Sequence, residues 1–475
     1  MSKIHGMMDV GKRSMMNSQT ALQTVGHNIA NKSTEGYSRQ RVELQTNEPI
    51  GQGKLRIGMG AKTALVTRIN NPYLEKQIGK EQSSLGYHEG KYDAMMRVEQ
   101  VFNEQGSRGL NGYINDFFNA FREFSNNPES LATRTQVKET ADSLAKDFRR
   151  VHGHLVEVTK DLDQQISTRV SEINEITREI ANLNQKIQTV QIAGGPANDE
   201  RDRRDLLIKN LGERVNVRWA EGTDGMVTIT AGSSALLVAG YDAKALEVQA
   251  TPETETKGEG NYDIYFKNTE DSVPVKITDQ INGGSIGGLL EVRDVTIIDA
   301  MKDIDGLAYG LGSVVNEVHS RGYDALNRKG GDFFKLPQQL RHAAEHMFVD
   351  DKILRDPNRI AAGMSMDSPG DNRIASAISQ LQYERVMGRG SSTFDEHYNS
   401  VVGKVGILTK RAESSDEAQK NIVKQLSNIR ESISGVSLDE ETTKLIEFQK
   451  AFDASARLIR TADEMFDTVL GLKRL

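Results

Sequence analysis

Residues 341–346 read Arg-His-Ala-Ala-Glu-His and so contain the spacing H-x-x-E-H. On a helix, His342 and His346 would share a face, as zinc ligation requires, and Glu345 would be placed to activate a water. Five residues are a weak signal, and no downstream cluster supplies a third ligand. The competing reading is an exposed polar turn of helix. Residues 281–288 (Ile-Asn-Gly-Gly-Ser-Ile-Gly-Gly) are Gly-rich and precede a helix. They lack the Walker Lys-Ser/Thr and the G-x-G-x-x-G order, so they read as a flexible connection, not a phosphate cradle. Residues 198–205 alternate in charge sign, which i,i+3 and i,i+4 ion pairs within one helix explain better than a metal site. Residues 37–41 (Tyr-Ser-Arg-Gln-Arg) could hold an acidic partner through two guanidinium groups, or could simply start an exposed strand. No paired-carboxylate or Ser/His/Asp arrangement can be defended from spacing. The expectation is therefore a non-enzyme with no catalytic residue, no bound metal and no cofactor.

The elements that would position these residues are mostly helical. The N-terminal seam Ile4, Met8, Gly11, Met15, Ser18, Leu22, Val25 and Ile29 follows a 4-3-4-3 spacing, the heptad pattern of helices that pack side by side. Leu445, Phe448, Phe452, Ser455, Ile459, Ala462, Phe466 and Val469 repeat it at the other end. Neither helix can bury its stripe alone, so the ends are expected to pair with each other or with neighbouring subunits. A third run begins at Leu162 and continues through Ile166, Arg169, Ile173, Ile176, Ile180, Leu183, Ile187 and Val190. Thr159, Asp161 and Asp163 supply its start signals, and Gly194-Gly195-Pro196 stops it. Residues 70–103 and 111–159 are also helical in pattern, broken near 106–112 and at Pro128.

After Asn210 the composition changes. Residues 215–219, 227–230, 246–248, 262–266 and 273–277 alternate as short strands between Gly, Asp and Asn residues. Helical periodicity returns from Val295 to Val318, residues 321–370 are irregular, and helices resume from Asp371. The predicted fold is mainly α with an inserted small β domain. The terminal helices form an axial coiled coil on a helical-bundle body. The expected division is 1–45 with 435–475, 46–210 with 286–434, and an inserted 211–285.

With 475 residues, two to four domains fit. The net charge of −7 weighs against nucleic acid as a partner. The absence of cysteine removes disulfides and thiol nucleophiles. No cleaved secretory signal and no membrane span are expected, since the N-terminus lacks an apolar h-region and no run of about 18 apolar residues occurs.

The segment Asn28-Ile29-Ala30-Asn31 with Gly36-Tyr37 resembles the N-terminal signature of flagellar axial proteins. Ser38-Arg39-Gln40 directly after it narrows the likeness to the hook-associated protein 1 family. Asn198-Asp199 with Arg204-Asp205-Leu206 agrees, as does the stretch 283–290 with Arg293-Asp294. So do Asp332-Phe333-Phe334, Pro369-Gly370-Asp371-Asn372, residues 435–441, Phe448-Gln449 and residues 454–457, all in family order. Departures are Glu35 where members commonly have Pro, and Thr442-Thr443 in place of small residues. Gly36 can still take the positive φ of a third turn position.

The resemblance implies a structural axial protein that assembles as a ring at the hook–filament junction. It implies the hook protein, a second hook-associated junction protein and an export chaperone as partners. It also implies type III export, a monomer before assembly and a place in the extracellular flagellum. In this picture Ile4, Met8, Leu22, Val25 and Ile29 face Phe448, Phe452, Ile459 and Phe466. Asn31 ends the first helix in a left-handed conformation, and Gly36 turns the chain so that Tyr37, Arg39 and Gln40 point outward as a subunit contact. The alternatives are another axial protein of the hook or rod type, a zinc peptidase on an axial scaffold, and an intracellular coiled-coil module.

Overall fold

The computed structural model describes residues 2–52, 55–102, 109–251, 261–269 and 272–472. Helix α1 (Ser2–Ala30) leads into strands β1 (Gln40–Thr46), β2 (Ile50–Gln52), β3 (Leu55–Ile57) and β4 (Ala61–Arg68). β1 and β4 pair antiparallel from Gln40↔Arg68 to Thr46↔Ala61. Asn17 ties this ribbon to α1, donating to the Ala61 carbonyl at 2.8 Å and accepting the Thr63 N–H at 3.0 Å. The ribbon straddles the division expected at residue 45 and was not read from the sequence beyond a possible strand start.

Four helices follow, α2 (Pro72–Phe102), α3 (Leu110–Asn126), α4 (Leu131–Ile192) and α5 (Asn198–Arg214). α3 buries Ile114, Phe117, Phe118, Phe121 and Phe124, an i, i+3, i+4, i+7 stripe. It stops before Pro128, which disfavours helical geometry at Asn127, whose φ is −134°. α4 is one helix of 62 residues, about 93 Å at 1.5 Å per residue. No break occurs at the start signals expected near residue 160. From Ile166 its buried positions 166, 170, 173, 177, 180, 184 and 187 keep the 4-3 heptad spacing, with the second position of each repeat one residue later than expected. Val170 therefore takes the inward place expected for Arg169, which sits half-exposed against Glu172.

Strands β5 (Val217–Glu221), β6 (Val227–Ala231), β7 (Ala235–Ala239), β8 (Asp242–Ala243), β9 (Leu246–Ala250), β10 (Tyr262–Phe266) and β11 (Val275–Lys276) come next. They form an antiparallel sheet in the order β5-β6-β7-β8 and another in the order β11-β10-β9. Both are stitched to α4 by side-chain amides, Asn174 half-buried and Asn184 buried. Asn174 donates to the Leu246 carbonyl at 2.9 Å and accepts its N–H at 2.8 Å. Asn184 does the same for Val227, at 2.9 and 3.1 Å. Their apolar side chains join one continuous core with the helices.

The chain then returns through α6 (Gly284–Glu291), a π-helical segment at Val292–Ile297, and α7 (Ile298–His319). Short elements β12 (Phe334–Lys335), β13 (Phe348–Val349), α8 (Asp351–Arg355) and α9 (Arg373–Gln380) punctuate the segment read as irregular. Two long helices close the chain, α10 (Phe394–Ser434) and α11 (Leu438–Leu472). Thr393 and Glu396 form a capping box at the start of α10.

The Gly-rich stretch is not a flexible connection. A Cβ on Gly284 would lie 2.4 Å from the Arg214 carbonyl carbon, and one on Gly288 would lie 2.2 Å from the Tyr87 carbonyl oxygen. On the facing helix, a Cβ on Gly86 would lie 2.0 Å from the Glu213 carbonyl oxygen, and one on Gly90 would lie 2.7 Å from that of Ser285. These glycines let α2, α5 and α6 touch backbone to backbone.

Candidate assembly site

α1 and α11 pack against each other in opposite directions. His5 meets Phe466 with ring centroids 5.4 Å apart. Gly11 meets Ile459, where a Cβ would sit 2.7 Å from Cγ1. Ser455 donates to Ser14 at 2.7 Å, and Asn28 reaches Glu441 at 2.9 Å. The expected seams thus run alongside each other, and this register sets Phe452 level with Ser18 and Phe448 level with Leu22.

The packing has an unanticipated centre line. Most of its buried residues are small or short: Gly11, Ser18 and Ala21 on α1, Ser455 and Ala462 on α11, and then Thr24, Val25 and Asn28, with Glu441 buried at the inner end. Small residues bring the helix axes close together. The larger seam residues flank this line and keep part of their surface in solvent. Ile4, Met8, Leu22, Ile29, Phe448, Phe452, Ile459 and Phe466 are all half-buried. Met7, Met16, Ile446, Leu458, Met465 and Val469 are exposed outright.

At the inner end of the pair the chain turns. Asn31 caps α1, its amide donating to the His27 carbonyl at 3.0 Å. It is not among the residues with positive φ, so the left-handed exit expected there is absent. Tyr37 N–H bonds to the Thr34 carbonyl at 3.2 Å, and Gly36 stands third in that turn with φ +80°. A positive φ at that place is what the sequence asks of Gly36, with or without Pro in the position of Glu35.

After the turn the chain points inward, contrary to expectation. Tyr37 is 8% exposed and Ser38 3%. The Tyr37 hydroxyl donates to Asn28 Oδ1 at 2.7 Å and lies 3.1 Å from His27 Nδ1. Burial and the carboxylates of Asp199, Asp202 and Glu441 push that hydroxyl far above the ordinary tyrosine range, so it remains a donor. Asn28 Oδ1 also accepts the Gln40 N–H at 2.9 Å, and its Nδ2 serves the Gln40 carbonyl and Glu441, both at 2.9 Å. Arg39 ion-pairs with Glu440, and its N–H donates to the Ser434 carbonyl at 2.8 Å. Gln40 donates to Asp199 at 2.8 Å. Residues 37–40 are therefore engaged within the chain, joining α1 to α5, α10 and α11.

Two ion networks extend this joint. Arg68 holds Asp202 at 2.7 Å and Asp205 at 3.0 Å, while Ser38 N–H donates to Asp202 at 2.9 Å. Burial pushes the Asp202 carboxyl up, against the pull of Arg68. Arg430 donates to the carbonyls of Gly36 and Tyr37 at 3.0 and 3.1 Å and pairs with Glu75 at 3.0 Å; Lys209 meets the same Glu75 at 2.5 Å. The alternating charges of residues 198–205 thus serve other elements, since the described ion pairs of that stretch reach β4, β5, α4 and α1. Sequence reasoning did not assign roles to Asn28, Glu441, Arg68, Asp202 or Arg430. Asn28 and Glu441 carried a signal as members of the two terminal motifs, and Asp202 as a member of the 198–205 stretch; Arg68 and Arg430 carried none.

The His-rich motif also departs from expectation. Residues 341–346 form turns instead of a helix, and His342 has φ +61°. Glu345 is hydrogen-bonded to His342 Nδ1 at 3.0 Å. Two helix-borne histidines with a carboxylate free to activate water are not what this segment builds.

The family model described as "Flagellar hook-associated protein FlgK helical domain" matches residues 95–334, half of the chain. The chain belongs to the FlgK family of flagellar hook-associated proteins. A second model, "Flagellar basal body rod FlgEFG protein C-terminal", matches residues 430–472, which covers α11 and the end of α10. Flagellar hook-associated protein 1 of Bacillus subtilis is 27% identical over 98% of this chain and 97% of its own length. The protein of that name from Salmonella typhimurium is 27% identical over 96% and 97%. In fold, the flagellar hook junction protein FlgK from Burkholderia pseudomallei matches 75% of this chain and 100% of its own, with a TM-score of 0.68 at 15% identity.

As a member of the FlgK family the chain is a structural protein of the flagellar hook–filament junction, not an enzyme. It assembles with the hook and other flagellar proteins. Hook and rod types, and a peptidase on an axial scaffold, fall away as alternatives. Among the described residues no helix is long and apolar enough to cross a membrane.

Proposed function

We propose that the α1/α11 pair is the unit by which each copy enters the junction. The observation that supports this is the unequal burial of the seam. Gly11, Ser18, Ala21, Ser455 and Ala462 fill the line between the helices, while the large apolar residues beside it are left half-covered. Neighbouring copies in a ring cover the rest. Each side chain so covered contributes on the order of 1–2 kcal/mol at about 25 cal/mol per Å². The hook protein meets one end of the ring and a second hook-associated junction protein the other.

Before assembly the same seam is a liability. A lone pair of helices with exposed Met, Ile and Leu frays easily, and it suits passage through a type III export channel with a chaperone on the C-terminal region. Residues 1–68 and 435–475 then form one discontinuous axial unit, with the first boundary at the end of β4 and not at residue 45. The remaining helical body, and the β segment inserted at 211–285, project from it. The flagellum, outside the cell, is the site of action.

Phe452→Asp tests this reading. A carboxylate in the seam must be desolvated wherever a neighbour packs, at a cost of several kcal/mol. The expected outcome is an exported, folded body absent from purified hooks, and cells that shed filament subunits into the medium. Normal filament growth by the variant would sink the proposal.

A further inference from the structure

The turn that carries His342 is held from below. Asp305 of α7, 4% exposed, accepts the backbone N–H of His342 at 2.8 Å and of Ala344 at 2.9 Å. This fixes a left-handed residue, His342, with its ring toward α4. The ring it meets is His152, at a centroid distance of 5.9 Å. His152 lies nearly 200 positions upstream and belongs to no motif read from the sequence. It is 4% exposed. Glu345 completes the group, and one ligand atom from each of His152, His342 and Glu345 lies within 4.8 Å of the others. His346 stands at the rim, its ring 6.4 Å from that of His342.

We propose that His152, His342 and Glu345 bind one divalent transition-metal ion of the zinc class, which staples the loop around residues 332–350 to α4. Two neutral imidazoles and a carboxylate are the ligand set that Zn²⁺ accepts, at about 2.0–2.2 Å per bond. Those bonds place ligand atoms about 3.3 Å apart in a tetrahedron, so small rotations of the two more exposed side chains close the group. The ion replaces the proton now shared between His342 and Glu345, and it takes a ring-nitrogen lone pair of His152. A water or His346 supplies the fourth position. The role is structural, and no reaction is attached to it.

The test uses the full chain, stripped with a chelator and titrated with zinc chloride by calorimetry. Two variants accompany it. His342→Gly suits the left-handed backbone, and Glu345→Gln is an exposed, isosteric change; circular dichroism without zinc confirms that both fold. The expected result is saturable binding of one equivalent, weakened at least about tenfold in each variant. Zinc should also raise the melting temperature of the parent chain more than that of either variant. The absence of saturable binding, or less than a tenfold weakening in either variant, overturns the proposal.

Discussion

Asn28 uses its whole hydrogen-bonding capacity. Its carbonyl oxygen takes the Tyr37 hydroxyl and the Gln40 N–H, and its amide nitrogen serves the Gln40 carbonyl and Glu441. Asn28→Ala strands those groups in a site where Asn28 and Glu441 are each 1% exposed. The expected cost is about 2–4 kcal/mol, since each buried group left unpaired costs about 1–3 and the losses overlap. Hydrogen exchange of the α1 and α11 amides should report it as faster opening of the pair. Asn28→Asp is the sharper variant. It keeps both acceptors but sets a carboxylate against Glu441, so at neutral pH it should open the pair at least as much as Ala. An Asp variant that behaves like the parent would remove Asn28 from this role. The sequence displayed the motif that contains Asn28, but not its task. The partner Glu441 is 413 positions away, and spacing arguments do not cross that distance. For the same reason the sequence alone points Tyr37 outward. A Tyr after a Gly turn looks exposed until the helix that it returns to is in place.

Elements were more legible than residues. The 4-3 seams located α1 and α11, and α2 lies within two residues of the span expected from periodicity. β10 coincides with the expected 262–266. Start signals were less reliable. Asp163 reads as a helix cap, yet it lies inside α4, buried, ion-paired with Arg293 and accepting the Tyr262 N–H at 3.1 Å. A capping residue type within a helix is in this case a tertiary contact. The glycines misled in the opposite direction, because closeness of backbones leaves no trace in a single sequence. Gly288→Ala separates the two readings. In a flexible connection, Ala would stabilise by about 0.5–1 kcal/mol through the unfolded chain. At this contact the new Cβ lies 2.2 Å from the Tyr87 carbonyl oxygen and 2.7 Å from the Lys91 nitrogen. Backbone atoms cannot turn aside, so α2 and α6 must separate. Overpacking of this kind costs about 1–3 kcal/mol or more. A fall in the urea midpoint with unchanged slope is the expected outcome.

At the scale of the whole molecule, two regions of unlike stability share one chain. The body has a continuous core with α3 and α4 at its heart. The α1/α11 pair has a thin line of small residues, and it reaches the body through a polar joint. Joints of this kind open before cores do. Arg430 is central to it, with Gly36, Tyr37 and Glu75 as partners. Glu75 makes the joint sensitive to acid. Burial raises its carboxyl, but Lys209 and Arg430 outweigh that and hold it below its ordinary value of 4.5. A carboxylate held low in the folded state adds stability above the unfolded value, and that stability is lost as pH falls from 4.5 through the lower folded value. Limited proteolysis of the unassembled chain should therefore trim α1 and α11 first, leaving a resistant body. Trimming should quicken as pH drops below the ordinary glutamate range. Glu75→Gln should flatten that acid response while making the joint weaker at neutral pH, because Arg430 and Lys209 lose their counter-charge. A parent chain trimmed first within α3 or α4, or an acid response unchanged in Glu75→Gln, would place the weak point elsewhere. The arrangement has a direct use in a junction protein. On the function proposed above, a body that holds its fold while its ends remain adaptable would be delivered as a monomer and would gain the rest of its stability from neighbours that cover the seam.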